Sequence, residues 1–170
     1  MKLQAKTRLL AKVGKPLNSK SSGTYVCALP DSKSRTKLVH ISSALGHPIS
    51  VEESEDLHST VIYSKGAFPS KFDFSRQYFG AKITGLEFWD GHDNDGYVVV
   101  TLDSPDLTAE NRRWTTLGLK HSFEDYTPHV TLFSKIDKTE DLIQRINRLT
   151  SKVAGTTLVF DQLQLEGLKD

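Results

Sequence analysis

The chain has 170 residues, which suits one domain with room for two small lobes. Apolar residues at 37% and charged residues at 25% exclude a disordered chain, and a net charge of +1 demands no long polyanion as partner while leaving room for a small anionic ligand. The single cysteine, Cys27, excludes an intramolecular disulfide and a cysteine-based metal cluster, and fits a reducing, intracellular setting.

Residues 1–22 carry basic side chains and no acid, and their apolar stretch is too short for a signal peptide. They read as a basic N-terminal extension, a flexible arm or a first strand, ahead of one domain over 23–170. No apolar run reaches the roughly 18 residues needed to span a membrane. GTYVCAL (23–29) is β-like, with Tyr25 and Cys27 on one face and Val26 on the other. Residues 32–45 suit a short helix ending at Gly46, with Leu38, Ile41 and Leu45 on one side. Residues 46–56 read as an acidic loop, 57–64 as a strand, and 66–80 as a loop with a short helix. ITGLEFW (83–89) and YVVVTLD (97–103) form a strand pair around the turn DGHDNDG (90–96). That turn lacks the ligand spacing of a calcium loop. Residues 104–118 are a helix with a Ser N-cap, Pro at its start and Gly118 at its end. PHVTLFS (128–134) is a strand, 138–155 a helix with Leu142, Ile146 and Leu149 at helical spacing, and 156–168 a closing strand. The expected fold is α+β: two lobes, mostly antiparallel sheet, pseudo-two-fold symmetry about a central cleft, helices outside.

One phrase occurs twice. LHSTVIYSK (57–65) and PHVTLFSK (128–135) both place His-x-Thr before apolar residues and Ser-Lys. On a strand, residues i and i+2 share a face, so His58 lies with Thr60 and His129 with Thr131. Ser59, polar where Val130 is apolar, suggests a less buried first copy. If both strands face one cleft, two imidazoles and two hydroxyls converge there. Cleaving a phosphodiester needs a base for the attacking oxygen and an acid for the leaving oxygen, and histidine titrates near neutrality, so two of them supply both. Threonine hydroxyls donate to the non-bridging oxygens, where charge builds up. A metal site, the rival use of two histidines, lacks an evident third ligand, so neither metal nor cofactor is expected. His40, His47, His92 and His121 fall in helix or loop contexts and read as surface residues.

His58-Ser59-Thr60-Val61 and His129-Val130-Thr131-Leu132, 71 positions apart (129 minus 58), resemble the paired motifs of the two-histidine (2H) phosphoesterase superfamily. The lead into GTYV, the segment GYVVVTLDSP before a helix, and EDYTPHVTL are more specifically similar to the phage anti-CBASS phosphodiesterases, over roughly residues 23–168. Ser59 and the basic first 22 residues depart from that pattern. The resemblance implies a metal-independent phosphodiesterase that opens cyclic di- or trinucleotide messengers of bacterial immunity in the cytoplasm of an infected host. Its partner would be that small cyclic oligonucleotide, with no long nucleic acid and no membrane required. The alternatives are an RNA 2′,3′-cyclic phosphodiesterase of the same superfamily and a non-catalytic nucleotide-sequestering protein.

The same resemblance puts Tyr25 and Trp89 where aromatic base contacts are expected; from the residues alone, each is equally a packing residue. Asp161 and Glu166 on the last strand are equal candidates to accept a base amine. Lys65 and Lys135, just past the motifs, read either as phosphate-attracting or as surface charge. Trp114, at helical spacing with Leu107 and Leu117, is expected in the core, and Cys27 is most simply a small buried residue.

Overall fold

The computed structural model describes residues 23–66, 78–92, 95–123 and 125–168. The basic extension, nearly all of the expected 66–80 loop and the tip of the 90–96 turn lie outside them. In chain order the elements are β1 (Gly23–Pro30), α1 (Ser32–Ala44), α2 (Val51–Ser54), β2 (Ser59–Ser64), β3 (Phe79–Asp90), β4 (Gly96–Asp103), α3 (Pro105–Thr116), β5 (His129–Ile136), α4 (Glu140–Val153) and β6 (Thr157–Leu168). The strands form one sheet in the order β2-β1-β6-β3-β4-β5, with every neighbour antiparallel.

The sheet divides naturally into β2-β1-β6 and β5-β4-β3. The halves are paired where Phe79–Lys82 of β3 runs beside Thr157–Phe160 of β6, and Ile83 N–H donates to Thr156 O at 2.9 Å just past that stretch. Beyond this seam each long strand follows its own half: Leu163 to Leu168 run beside β1, while Leu86 to Asp90 run beside β4. The α+β, two-halved antiparallel arrangement expected from the sequence is therefore present, and the His-x-Thr segments belong to the two outermost strands, β2 and β5.

One face of the sheet is buried against the helices, and β1 and β4, inside the sheet, are buried along nearly their whole length. Val26, Ala28, Val98, Val100, Leu102, Val130, Leu158, Phe160 and Leu163 meet Leu38, Ile41 and Leu45 of the α1 region, Leu107 and Trp114 of α3, and Leu142 and Ile146 of α4 in one core. Burying a side chain of this size stabilises by about 1.5–3 kcal/mol. Trp114 is fully buried, as its spacing predicts, and its indole N–H donates to Glu110 Oε1 at 3.0 Å.

Local chemistry sets the helix ends. Ser104 caps α3 by accepting from Leu107 N at 3.1 Å, and its hydroxyl donates to Gly80 O at 2.7 Å, which ties the helix to β3. α1 is capped by Asp31, one residue before the serine expected there, accepting from Ser34 N at 2.7 Å. Gly118 and Gly155 follow α3 and α4 with φ of +96° and +85°, a region closed to most side chains. Two segments differ from expectation. The acidic stretch contains α2, one turn held by a reciprocal Ser50–Glu53 capping box, the S-x-x-E pattern of a helix start. β3 begins at Phe79, four residues before ITGLEFW, because Phe79 and Ala81 bury their side chains at the seam.

An edge strand leaves backbone groups unpaired. On β2 they are taken up by α3 and by the chain between it and β5. Asn111 Nδ2–H donates to Val61 O at 2.7 Å, Tyr126 Oη–H to Thr60 O at 2.9 Å and Ser122 N–H to Tyr63 O at 2.8 Å, while Tyr63 N–H donates to His121 Nδ1 at 3.2 Å. The chain that covers β2 thus runs directly into the second His-x-Thr, and the two edge strands meet. Asn111→Ala leaves the Val61 carbonyl unsatisfied and should destabilise the fold by about 1–3 kcal/mol. A urea unfolding midpoint equal to wild type would show that water replaces the amide.

Candidate active site

His58 lies directly before β2, and His129 is the first residue of β5. Each ring is fixed by the same bond: Nδ1 of His58 lies 2.6 Å from Asp56 O, and Nδ1 of His129 lies 2.8 Å from Thr127 O. A carbonyl only accepts, so Nδ1 carries the hydrogen in both rings, and Nε2 is the atom left to gain or lose a proton. The repeated sequence thus yields a repeated side-chain geometry, with each histidine bonding the carbonyl two residues earlier.

In the first half, Thr60 faces Cys27 and Tyr63 faces Tyr25 across the β1–β2 ladder, and Glu166 faces Tyr25 across β1–β6. The Tyr25 hydroxyl lies 2.7 Å from His58 Nε2 and 3.2 Å from Thr60 Oγ1, so one phenol joins both motif side chains. Burial, followed by the neighbouring Cys27, pushes the Tyr25 hydroxyl well above its ordinary value of 10.0 and keeps it protonated. Tyr25 thus lies outside the apolar core and against the histidine. Glu166 Oε1 accepts from Gln164 Nε2 at 2.7 Å. Glu166 therefore shares the Tyr25 face, whereas Asp161 falls in the register slip between Phe160 and Gln162, which separates two carboxylates that the sequence leaves equal.

In the second half, His129 faces Thr101 and Thr131 faces Val99 on β4. The Trp89 ring lies 4.6 Å from the His129 ring, tilted by 55°, and its indole N–H donates to Glu87 Oε2 at 2.6 Å. Tyr25 and Trp89 thus each attend one histidine. Burial lowers the His129 imidazole below its ordinary 6.5; the Thr127 carbonyl partly opposes this, and the charge of His58 adds to the lowering. The two histidines therefore feel each other, although β2 and β5 are not hydrogen-bonded neighbours. Their strands meet because the sheet brings its two edges together, not because they pair.

Other expectations are sorted by position. Ser59 is fully buried, as is Val130, so the first copy is no more exposed than the second. His40 and His92 are exposed, but His47 stacks on Phe133 at 4.4 Å, and His121 is half-buried as the acceptor for β2's edge. Lys65, just past β2, and Lys135, near the end of β5, are exposed and roughly 20 Å along each strand from the histidines, too far to touch a phosphate held there. Cys27 is buried, opposite Thr60. Among the described residues, no group of three or more His, Cys, Asp or Glu side chains is placed to hold a metal ion. Asn111, His121 and Tyr126 support the first motif strand and were not apparent from sequence; only Tyr126, inside EDYTPHVTL, carries a signal, since it precedes His129 by three residues.

Above about pH 6.5 both folded and unfolded chains hold residue 129 neutral. Below that value the unfolded chain takes the proton first, because the folded-state pKa is lowered, so stability falls as pH falls through the window between the folded value and 6.5. His129→Gln should flatten that part of the stability–pH curve, and the His129 ring resonance should titrate below 6.5. A midpoint above 6.5 would contradict the buried environment.

A family profile described as "Anti-CBASS protein Acb1" matches residues 22–169. The chain is 35% identical over 112 residues to the Acb1 protein of Enterobacteria phage T4, covering 66% of this chain and 72% of that one. It is 30% identical over 145 residues to that of Escherichia phage RB16, covering 84% and 80%. Among solved structures it is similar in fold to Usb1 of Kluyveromyces marxianus, with a TM-score of 0.54 at 11% identity over 88% of this chain and 96% of that one. A second Usb1 structure, with uridine monophosphate, gives 0.53 at 12% identity over 90% and 97%. The fold is shared with Usb1, and the chain belongs to the Acb1 family of anti-CBASS proteins.

Proposed function

We propose that the protein is a phosphodiesterase that opens cyclic di- or trinucleotides without a metal, using His58 and His129 as acid and base, and thereby silences CBASS signalling in the infected cell. The observation that carries this reading is the matched pair of histidines, each with Nδ1–H held by a backbone carbonyl and Nε2 left for proton transfer. Family membership supplies the biological setting.

The division of labour follows from the surroundings. His129, lowered by burial against Trp89, is the neutral partner and removes the proton from the attacking hydroxyl, whether ribose 2′-OH or water. As that oxygen bonds to phosphorus, His58 delivers the Nε2 proton to the departing ribose oxygen, and the P–O bond breaks. Thr60 and Thr131 donate to the non-bridging oxygens as charge accumulates. Tyr25 holds the His58 ring through Nε2 until the substrate's leaving oxygen takes its place, and its ring, like Trp89, offers a face for a base.

The test is a product assay in excess EDTA with cyclic di- and trinucleotides and an RNA 2′,3′-cyclic phosphate. Wild type should open the cyclic nucleotides, and His58→Ala or His129→Ala should each cost about 10²–10⁴-fold in rate. Turnover of the RNA end alone would keep the chemistry and reassign the biology; tight binding without product would make the protein a sequestering one. Tyr25→Phe, which keeps the ring and loses its hydroxyl, should slow turnover by roughly tenfold, the scale of one hydrogen bond to a charged group. An unchanged rate would remove Tyr25 from the alignment of His58.

A further inference from the structure

Beyond Tyr25, a line of aromatic rings leaves the histidines toward the outer edge of β2. Tyr25 and Tyr63 stand directly opposite each other across the β1–β2 ladder, with ring centroids 6.1 Å apart at 70°. Tyr63 is followed by Phe123 at 6.4 Å, and Phe123 by His121 at 5.5 Å. The outer two hydrophobic rings are open to solvent: Tyr63 is 38% and Phe123 64% exposed. The core does not need them there, and large apolar rings left in water beside a cleft mark a binding surface.

Phe123 and His121 also line a depression of about 520 Å³, together with Asn111, Thr115, Lys120 and Tyr126. That volume lies within the roughly 300–1,000 Å³ of ligand sites. Its polar groups are arranged for an anionic or carbonyl-bearing ligand. His121 Nδ1 accepts the Tyr63 N–H, so the neutral ring carries its hydrogen on Nε2 as a donor. Burial lowers the His121 pKa and favours that neutral form. Lys120 adds a cation, and Thr115 lines the same wall. The depression adjoins Tyr63, whose ring lies 6.4 Å from Phe123 and whose N–H bonds His121, and its character is aromatic plus donor-rich.

We propose that Tyr63 and Phe123 form a second base-stacking subsite, which receives a nucleobase of the cyclic oligonucleotide other than those flanking the cleaved linkage. The assignment rests on the function proposed above, since the occupant is part of the same substrate. One nucleotide at the histidines meets Tyr25 and Trp89; a ring with a further base has the Tyr63–Phe123 strip within reach and places a neighbouring phosphate or base carbonyl near Lys120 and His121. The subsite would thus favour larger rings by binding them, leaving the chemical step untouched.

Steady-state kinetics on a cyclic trinucleotide test this, with unfolding temperatures recorded for every variant. Tyr63→Ala and Phe123→Ala should each raise KM about tenfold, the scale of one lost base stack, with kcat unchanged. The conservative Tyr63→Phe and Phe123→Tyr should restore the wild-type KM, because they keep the π-face. Val51→Ala, at an 82% exposed apolar residue on α2, serves as the neutral control. An unchanged KM in the alanine variants, a fall in kcat in place of a rise in KM, or no recovery in the conservative variants would overturn the subsite and leave the phosphodiesterase standing. Wild type inert toward every cyclic oligonucleotide would overturn the proposed function and the subsite with it.

Discussion

The two halves of the sheet are joined by four residue pairs, Phe79–Lys82 with Thr157–Phe160. β3 and β6 are both far longer than this seam requires. Past it each pairs within its own half of the sheet, β6 with β1 and β3 with β4. The seam itself is anchored from the core side by Phe79, Ala81, Leu158 and Phe160, all buried. It is also held from the helix side, where Asp106 Oδ2 accepts Gly80 N–H at 2.9 Å and Ser34 Oγ accepts Val159 N–H at 2.7 Å. A ladder continuous along both strands would give a flatter, unbroken sheet; a shorter seam would leave the halves without a common core.

Given that split, the outer strands become the positions from which opposing side chains meet. Edge strands are usually protected by charge or by brevity. Here β2 is protected by Asn111 of α3 and by the chain that leads from it into β5, through the Tyr126, Ser122 and His121 bonds. The covering of one edge and the delivery of the second histidine are the same structural event. Burial of the site follows from it, and that burial is what lowers His129.

Much of this was legible in the sequence. Strand alternation in GTYVCAL, the Ser-Pro start and Gly118 end of α3, and the Leu142–Ile146 spacing of α4 are local signals, and local rules produce them. The two His-x-Thr segments were legible for a different reason: a period of two fixes which side chains share a face. What was not legible depended on distant partners. Nothing near His121 says that it accepts an amide 58 residues away on β2, so its helix-or-loop context suggested a surface residue. Glu166 and Asp161 look alike in sequence, and only the register slip at β6 separates them. Ser59 reads as polar and therefore exposed, yet a strand backed by Tyr126 and the α3–β5 chain leaves it no solvent.

The backbone arrangement is repeated, but the side chains around it are not. Both histidines bond a carbonyl two residues back, so their orientation is equal by construction. Their other neighbours differ in kind. His58 Nε2 meets the Tyr25 hydroxyl, whereas His129 lies against a tilted indole ring. Two identical histidines in identical surroundings would share a proton without preference. Placing a phenol beside one and an indole beside the other breaks that degeneracy, so the two copies of a duplicated motif sit in unequal surroundings.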